Sequence, residues 1–185
     1  MADTIRDLSG FIAAARGFRL PQFVKAHPYP FLVHTAADAR LQDNPWEERS
    51  AFSTDIRDHD AEGPDDDDDD APGEGPQPVR AIVVPVRKRE GGLFADRIAI
   101  GRARNCDVVL RYPSVSKLHA QLLIGEQGWS VIDLSSANST SLNGTRLVAR
   151  KAHPIVLGDR LLLGEIELEL VDAAAAYERL RAIKA

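Results

Sequence analysis

The chain reads IAIGR at residues 98–102, SVSKLH at residues 114–119 and ANST at residues 137–140, followed by NG at residues 143–144. Each motif borders a segment with the period-two alternation of a β-strand, so we expect loops on a β scaffold to carry them. The side chains that they bring together are a guanidinium (Arg102), a hydroxyl (Ser116), an ammonium (Lys117) and an amide (Asn138). This set suits a doubly charged, oxygen-rich ligand such as a phosphorylated side chain.

Strand patterns surround these motifs over residues 79–172. Residues 165–170 read EIELEL, which predicts a strand with one buried and one solvated face. Residues 120–124 and 129–134 predict a hairpin. Many short strands with Gly- and Asn-bearing turns predict a mainly β domain of the β-sandwich class. Residues 173–185 are rich in helix formers and predict a short C-terminal helix.

The first part of the chain predicts a different organisation. Residues 1–54 begin with apolar side chains at helical spacing (Ile5, Leu8, Ile12 and Ala15), and Gly17 is a stop signal. This helical, apolar N-terminal segment is thin for a core of its own, so we expect it to dock on the second half or on a partner. Residues 55–78 contain six consecutive aspartates at 65–70 and then Pro and Gly, which predict an acidic disordered linker.

Charge and composition limit the classes of partner. Residues 1–80 carry 17 acidic and 8 basic side chains, whereas residues 81–185 carry 11 acidic and 15 basic ones, so the second half suits an anion. Few aromatic residues and one short basic run, at 87–89, argue against nucleic acid. The single Cys106 and the absence of a secretory leader or a long apolar run predict a cytoplasmic protein with no membrane partner.

The three blocks, in this order, resemble the forkhead-associated (FHA) domain, a reader of phosphothreonine peptides. The first block is residues 98–109, with Gly101 before Arg102; the second is residues 114–119, with Ser116 and His119 three apart; the third is residues 133–144. The resemblance covers about residues 79–172 and implies an FHA-type β-sandwich of the bacterial, phosphothreonine-reading kind.

The resemblance assigns four residues to the phosphopeptide. Arg102 offers a rigid fork of donors, Ser116 a hydroxyl and Lys117 a mobile charge to the phosphate, while Asn138 can hold the main chain of the ligand. Each has a plain alternative: solvated surface charges for Arg102 and Lys117, a turn cap for Ser116, and a left-handed turn residue for Asn138.

Four further residues are expected to support the binding loops. Gly101 keeps a side chain away from the base of a loop, and Asn143-Gly144 is a tight hairpin signal. The resemblance implies that His119 is a buried scaffold residue. The other histidines (His27, His34, His59 and His153) have no ligand spacing, so we expect neither a metal nor a cofactor.

Two functions remain open at this stage. The leading one is a non-catalytic module that recognises phosphothreonine peptides in Ser/Thr kinase signalling. The alternative is a degenerate FHA scaffold that binds proteins independently of phosphate through its N-terminal segment, because Ala137 stands where the family commonly has Thr. Ser136, Ser139 or Ser141 could substitute for that Thr. We expect no enzyme, since the sequence has no Walker loop and no recognisable nucleophile motif.

A narrower prediction concerns self-binding. Thr4 and Asp7, and likewise Thr35 and Asp38, place an acid three residues after a threonine, a spacing that some FHA domains prefer in ligands. A phosphorylated N-terminal segment could then occupy its own or a neighbouring module. Thr4 with Asp7 is equally a helix-capping pattern.

Overall fold

The structure is a computed structural model that describes residues 8–34, 82–89, 96–125 and 128–183. The helices are α1 (Leu8–Gly17), α2 (Leu20–Ala26) and α3 (Ala173–Ala182). The strands are β1 (Phe31–His34), β2 (Ile82–Pro85), β3 (Arg97–Gly101), β4 (Val108–Val109), β5 (Ala120–Gly125), β6 (Gly128–Asp133), β7 (Thr140–Leu142), β8 (Thr145–Arg146), β9 (Ala152–Ile155), β10 (Arg160–Leu163) and β11 (Ile166–Val171).

These strands form two sheets that pack face to face. One sheet has the order β2-β1-β11-β10-β7-β8 and the other β4-β3-β5-β6-β9. The core between them takes side chains from both sheets, such as Ile100 and Leu122 from one and Leu161 and Leu168 from the other. The predicted β-sandwich is therefore confirmed.

Side-chain burial alternates along β11 as the sequence predicted. Ile166, Leu168 and Leu170 are buried in the inter-sheet core, whereas Glu167 on the opposite face is exposed. The predicted hairpin of residues 120–134 is also present, with Ala120 opposite Asp133 and Gly125 opposite Gly128. Alternation of this kind is expected where one face of a strand packs and the other is solvated.

A second apolar core covers the outer face of the six-stranded sheet. Phe11 of α1 and Phe23 of α2 pack there with Tyr177 and Leu180 of α3 and with Phe31 of β1. The predicted N-terminal and C-terminal helices are both present, and α1 ends at Gly17 as expected. Asp172 caps α3 by accepting a hydrogen bond from Ala175 N (2.7 Å).

Strand β1 is the main difference from the sequence analysis. It lies between β2 and β11, so the sandwich includes residues 31–34, which the predicted range of 79–172 leaves out. Leu32 points into the inter-sheet core, whereas Phe31 and Val33 point into the helical core. A strand that is buried on both faces shows no alternation, which is why the sequence did not reveal it. The predicted linker at 55–78 lies outside the described residues.

In the described ranges, no helix combines the length and the apolar character needed to cross a membrane.

Candidate functional site

Three loops meet at one end of the sandwich. They connect β3 to β4 (residues 102–107), β4 to β5 (110–119) and β6 to β7 (134–139). Backbone hydrogen bonds join the first two: Arg102 N donates to Ser116 O (2.9 Å) and Ala103 N donates to Lys117 O (3.0 Å). The loops that carry three of the predicted binding residues are thus held together before any ligand is considered.

Gly101 permits this close approach. A Cβ atom at position 101 would lie 2.3 Å from Lys117 O and 2.9 Å from Lys117 C. Both are backbone atoms, which cannot move aside as the end of a flexible side chain can. Glycine is required at position 101 because the backbone of the β4–β5 loop passes too close for a side chain, rather than for conformational freedom.

Arg102 is half-buried and partly fixed. Its Nε donates to Val115 O (3.2 Å), which holds the guanidinium against the β4–β5 loop. Neither terminal NH2 group has a hydrogen-bond partner among the described residues. Lys117 is exposed in the same loop, and it makes no ion pair within the described ranges. Two cationic groups with uncommitted donors therefore lie at this end of the molecule.

Ser116 links the second and third loops. Its Oγ accepts a hydrogen bond from Ala137 N (3.1 Å), so the hydroxyl oxygen is oriented by the β6–β7 loop. The hydroxyl proton has no acceptor in the described part of the chain. A hydroxyl that accepts on one side can still donate on the other, so Ser116 can donate to a ligand.

Asn138 is exposed and anchored through one amide hydrogen. Its Nδ2 donates to Ser114 O (2.9 Å), which leaves the second amide hydrogen and Oδ1 available for an extended peptide. The left-handed alternative does not apply to Asn138, because the positive φ angles in this loop belong to Ser135 (62°) and Ser139 (58°).

His119 joins two of the loops from inside. It is fully buried; Nδ1 accepts from Ser116 N (3.0 Å) and Nε2 lies 3.1 Å from Ser139 O. A backbone N–H can only donate, so Nδ1 is unprotonated and Nε2 carries the hydrogen that Ser139 O accepts. Burial lowers the pKa of His119, although the Ser139 hydrogen bond opposes this, and the low pKa agrees with a neutral ring.

A network around Asp133 was not predicted. The Asp133 carboxylate is buried and accepts from Ser136 Oγ (2.6 Å) and Thr140 Oγ1 (2.9 Å), on either side of Asn138. The Ser139 hydroxyl donates to Asn138 O (2.6 Å). The protons of Ser136 and Ser139 are thus committed to acceptors within the loop. The sequence signal for this network is an Asp followed three residues later by a Ser, a spacing at which the two side chains can form a hydrogen bond within a turn.

A second buried carboxylate braces the first loop. Asp107 accepts from Lys88 Nζ (2.9 Å), Arg89 N (2.9 Å) and Ala99 N (2.8 Å). Burial alone would raise the pKa of Asp107, but these hydrogen bonds outweigh burial and lower it. Arg89 Nη1 also donates to Arg104 O and to Cys106 O (3.0 Å). Part of the basic run at 87–89 is therefore used to hold the β3–β4 loop.

Asn143 and Gly144 form the tight turn between β7 and β8. Their φ angles of 50° and 79° are those of a type I′ turn. Asn143 Nδ2 also donates to Asp159 Oδ1 (2.8 Å), and Asn143 Oδ1 accepts from Arg160 N (2.9 Å). These contacts give both residues a structural role.

An apolar groove of about 710 Å³ lies at the other end of the sandwich. Strand β6 contains Trp129, which lines the groove, and ends at Asp133, which lies beside the three loops. The groove and the loops are therefore separated by the length of this strand. None of the predicted binding residues lines the groove. In the described part of the chain, no group of His, Cys, Asp and Glu is arranged to hold a metal ion.

Comparison with known proteins agrees with this arrangement. Residues 98–164 match the family model of the FHA domain. A DNA damage response protein kinase of Saccharomyces cerevisiae is 38% identical over 74 residues, which are 36% of this chain and 14% of the kinase. An ABC transporter ATP-binding/permease protein of Mycobacterium tuberculosis is 34% identical over 86 residues, which are 46% of this chain and 10% of the transporter. The chain thus spans only a small part of the length of either relative.

Among solved structures, the N-terminal FHA domain of Saccharomyces cerevisiae Rad53p in complex with a phosphothreonine peptide is 25% identical. The superposed part is 45% of this chain and 73% of that domain, with a TM-score of 0.37. The family match spans all three blocks that carry the sequence resemblance, together with the strands between them. Residues 98–164 of this chain therefore match the forkhead-associated (FHA) domain, the family that the three sequence blocks resemble.

Proposed function

We propose that this chain is a non-catalytic module that binds phosphothreonine-containing peptides of a partner protein. The observation that carries the proposal is the set of hydrogen bonds that holds Arg102, Ser116 and Asn138 at one end of the sandwich, each with polar atoms uncommitted within the described residues. A binding site that is organised before the ligand arrives loses less entropy on binding.

The donors match a phosphate ester. At neutral pH the ester carries a charge of about −1.5 to −2 and three strong acceptor oxygens. The terminal NH2 groups of Arg102, the Ser116 hydroxyl and the mobile Lys117 ammonium can each donate to one of these oxygens. Asn138 then pairs with the main chain of the peptide, which fixes the direction in which the ligand crosses the loops.

The wider setting is also part of the proposal. The solved Rad53p domain holds a phosphothreonine peptide and one relative is a protein kinase, which supports a place in Ser/Thr kinase signalling. The buried thiol of Cys106, the single cysteine of the chain, supports a reducing, cytoplasmic compartment.

A degenerate scaffold is the second candidate, because one observation favours it. Ala137 offers no hydroxyl, and Ser136 and Ser139 use theirs internally. Against it, Phe11, Phe23 and Phe31 of the N-terminal segment are fully buried on the sandwich. Those side chains are therefore unavailable for the phosphate-independent contacts that this candidate requires.

Self-binding stays a prediction, since Thr4, Asp7, Thr35 and Asp38 lie outside the described residues. Phosphorylation of the full chain by a Ser/Thr kinase should then weaken its binding of a free phosphothreonine peptide. Unchanged affinity of the phosphorylated protein would contradict self-binding.

The proposed function is tested by fluorescence anisotropy with the full chain and a degenerate phosphothreonine peptide pool. Matched pools with phosphoserine and with unmodified threonine are the controls. We expect saturable binding of the phosphothreonine pool and no binding of the unmodified pool. Equal binding of the phosphorylated and unmodified pools would favour the scaffold instead.

A further inference from the structure

The helical core contains a histidine surrounded by aromatic rings. The His27 ring is 4% exposed. Its centroid lies 4.6 Å from that of Phe23, 5.3 Å from Phe11, 5.7 Å from Tyr29 and 6.4 Å from Phe31. These rings come from α1, α2, the α2–β1 connection and β1, so the imidazole is in contact with every N-terminal element.

The two nitrogens of His27 have unequal surroundings. Nδ1 shares a hydrogen bond with Tyr29 Oη (2.8 Å), whereas Nε2 is buried and has no partner among the described residues. An imidazolium has two N–H groups that both need acceptors. The cage offers an acceptor to only one of them, so it suits the neutral ring. Burial lowers the pKa of His27 and raises that of Tyr29 to about 12, in agreement with a neutral pair.

Among the described residues, no ionisable group on the surrounding elements forms a hydrogen bond with His27 Nε2. The ionisable groups on these elements are Arg16 on α1, Arg19 and Lys25 at α2, Tyr29 and Arg87 near β1 and β2, His34 on β1, and Asp172, Tyr177, Glu178, Arg179 and Arg181 at α3. Of these, only Tyr29 bonds to the imidazole. Arg87 lies over the Tyr29 ring at 5.4 Å and Arg16 donates to Ile183 O (3.0 Å), and neither cation can accept a hydrogen bond from an imidazolium.

We propose that His27 is a pH-sensitive latch between the N-terminal helices and the six-stranded sheet. The neutral ring holds α1 and α2 on the sheet, and protonation releases them. Val24 of α2 lines the apolar groove, so release of α2 also opens one wall of that groove. The proposal does not depend on phosphopeptide binding, because His27 lies in the helical core and the three loops lie elsewhere.

The direction of the effect follows from proton linkage. The pKa of His27 is lower in the folded chain than its ordinary value of 6.5, so the unfolded segment binds more protons in the interval between the two values. The contribution of His27 to stability is complete above about pH 6.5 and is lost as the pH falls toward the folded pKa. Within that interval the opening equilibrium of the helices should rise by up to about tenfold for each pH unit.

The direct test is an NMR titration of the imidazole C–H signals in the full chain, together with amide exchange in α1 and α2. We expect the pKa of His27 to lie below the ordinary histidine value of 6.5. We also expect amide protection in α1 and α2, corrected for the intrinsic pH dependence, to fall as the pH falls, while β5 and β6 stay protected. Titration of His27 at or above pH 6.5, or pH-independent protection of the helices, would overturn the proposal.

Variants give an independent test that does not require signal assignment. His27→Phe fills the aromatic cage and His27→Gln keeps a polar group, and neither titrates; His34→Gln is the control. His119 also has a lowered pKa, so all chains should lose some stability in acid. Between pH 7.5 and 5.5 the denaturant midpoint of the wild type and of His34→Gln should fall more than that of whichever His27 variant folds. Equal falls in all of them would contradict the latch.

Discussion

The terminal NH2 groups of Arg102 have no hydrogen-bond partner among the described residues, while its Nε donates to Val115 O (3.2 Å). A hydrogen bond to a charged group contributes about 1.5–3 kcal/mol, and about 1.4 kcal/mol corresponds to a factor of ten in affinity. Arg102→Ala should therefore weaken phosphothreonine-peptide binding at least tenfold in an anisotropy titration, with little change in the melting temperature. Arg104→Ala, an exposed charge in the same loop, should have a clearly smaller effect. Equal losses in the two variants would indicate general charge attraction instead.

Ala137 offers a test in the opposite direction. Its backbone N–H is bonded to Ser116 Oγ, its side chain is exposed, and its φ angle is not positive, so a β-branched residue fits. Ala137→Thr adds the hydroxyl that the family commonly has there. We expect a severalfold gain in phosphopeptide affinity, measured by the same titration. Ala137→Val, which has the same shape without a hydroxyl, should show no gain, and an equal gain would contradict a hydrogen-bonding role.

At the scale of elements, the close approach of β3 to the β4–β5 loop depends on one missing side chain. Gly101→Ala would place Cβ 2.3 Å from Lys117 O, so one of the two segments must move. We expect a loss of stability of a few kcal/mol, as for an overpacked core, together with a loss of phosphopeptide binding. Gly17→Ala is a matched control, since nothing lies within 4 Å of the added Cβ at the end of α1. A Gly101→Ala protein with wild-type melting and binding would refute this role.

Elements were predictable where their signals are local. The alternation in Ile166–Val171 indicates a strand with one packed face and one solvated face, and Asn143-Gly144 indicates a tight turn. Both elements can therefore be predicted from residues that are neighbours in the sequence. Strand β1 was missed because residues 31–34 are buried on both faces and pair with strands that lie far away in the chain. Its position depends on long-range contacts that no short window of sequence contains.

The residues of the candidate site also divide into those that local sequence motifs predict and those that depend on long-range contacts. Arg102, Ser116 and Asn138 were named from motifs, and the structure brings them together on three linked loops. The supporting carboxylates of Asp107 and Asp133 were not predicted as braces. Their partners are backbone and side-chain donors that the fold places around them, and an isolated acidic residue in a sequence gives no sign of such donors.

At the scale of the whole molecule, residues 8–34 belong to the same folding unit as the binding loops. Removing residues 1–34 deletes β1 and exposes both cores, including the contacts of Phe31 and Leu32. Each large core side chain contributes about 2–5 kcal/mol, whereas a domain is stable by about 5–15 kcal/mol. A fragment that begins at residue 79 should therefore be unfolded by circular dichroism and denaturant titration.

A matched deletion should have the opposite outcome. His34 pairs with Ile82, so the chain leaves β1 and enters β2 at the same place. Replacing residues 36–80 with a short Gly-containing turn should keep the fold and the melting temperature close to those of the full chain. Cooperative folding of the fragment that begins at residue 79, or unfolding of this internal deletion, would contradict the assignment of β1 to the sandwich.

The proposed function requires the phosphate of a phosphothreonine peptide to contact Arg102. The most direct measurement is a double-mutant cycle in the full chain, with wild type and Arg102→Ala each titrated with a phosphothreonine peptide and its unmodified counterpart. We predict that removing the phosphate and removing the guanidinium each cost at least tenfold in affinity, and that the second change costs little once the first has been made. Additive losses, or binding of the wild type that is indifferent to the phosphate, would contradict that contact.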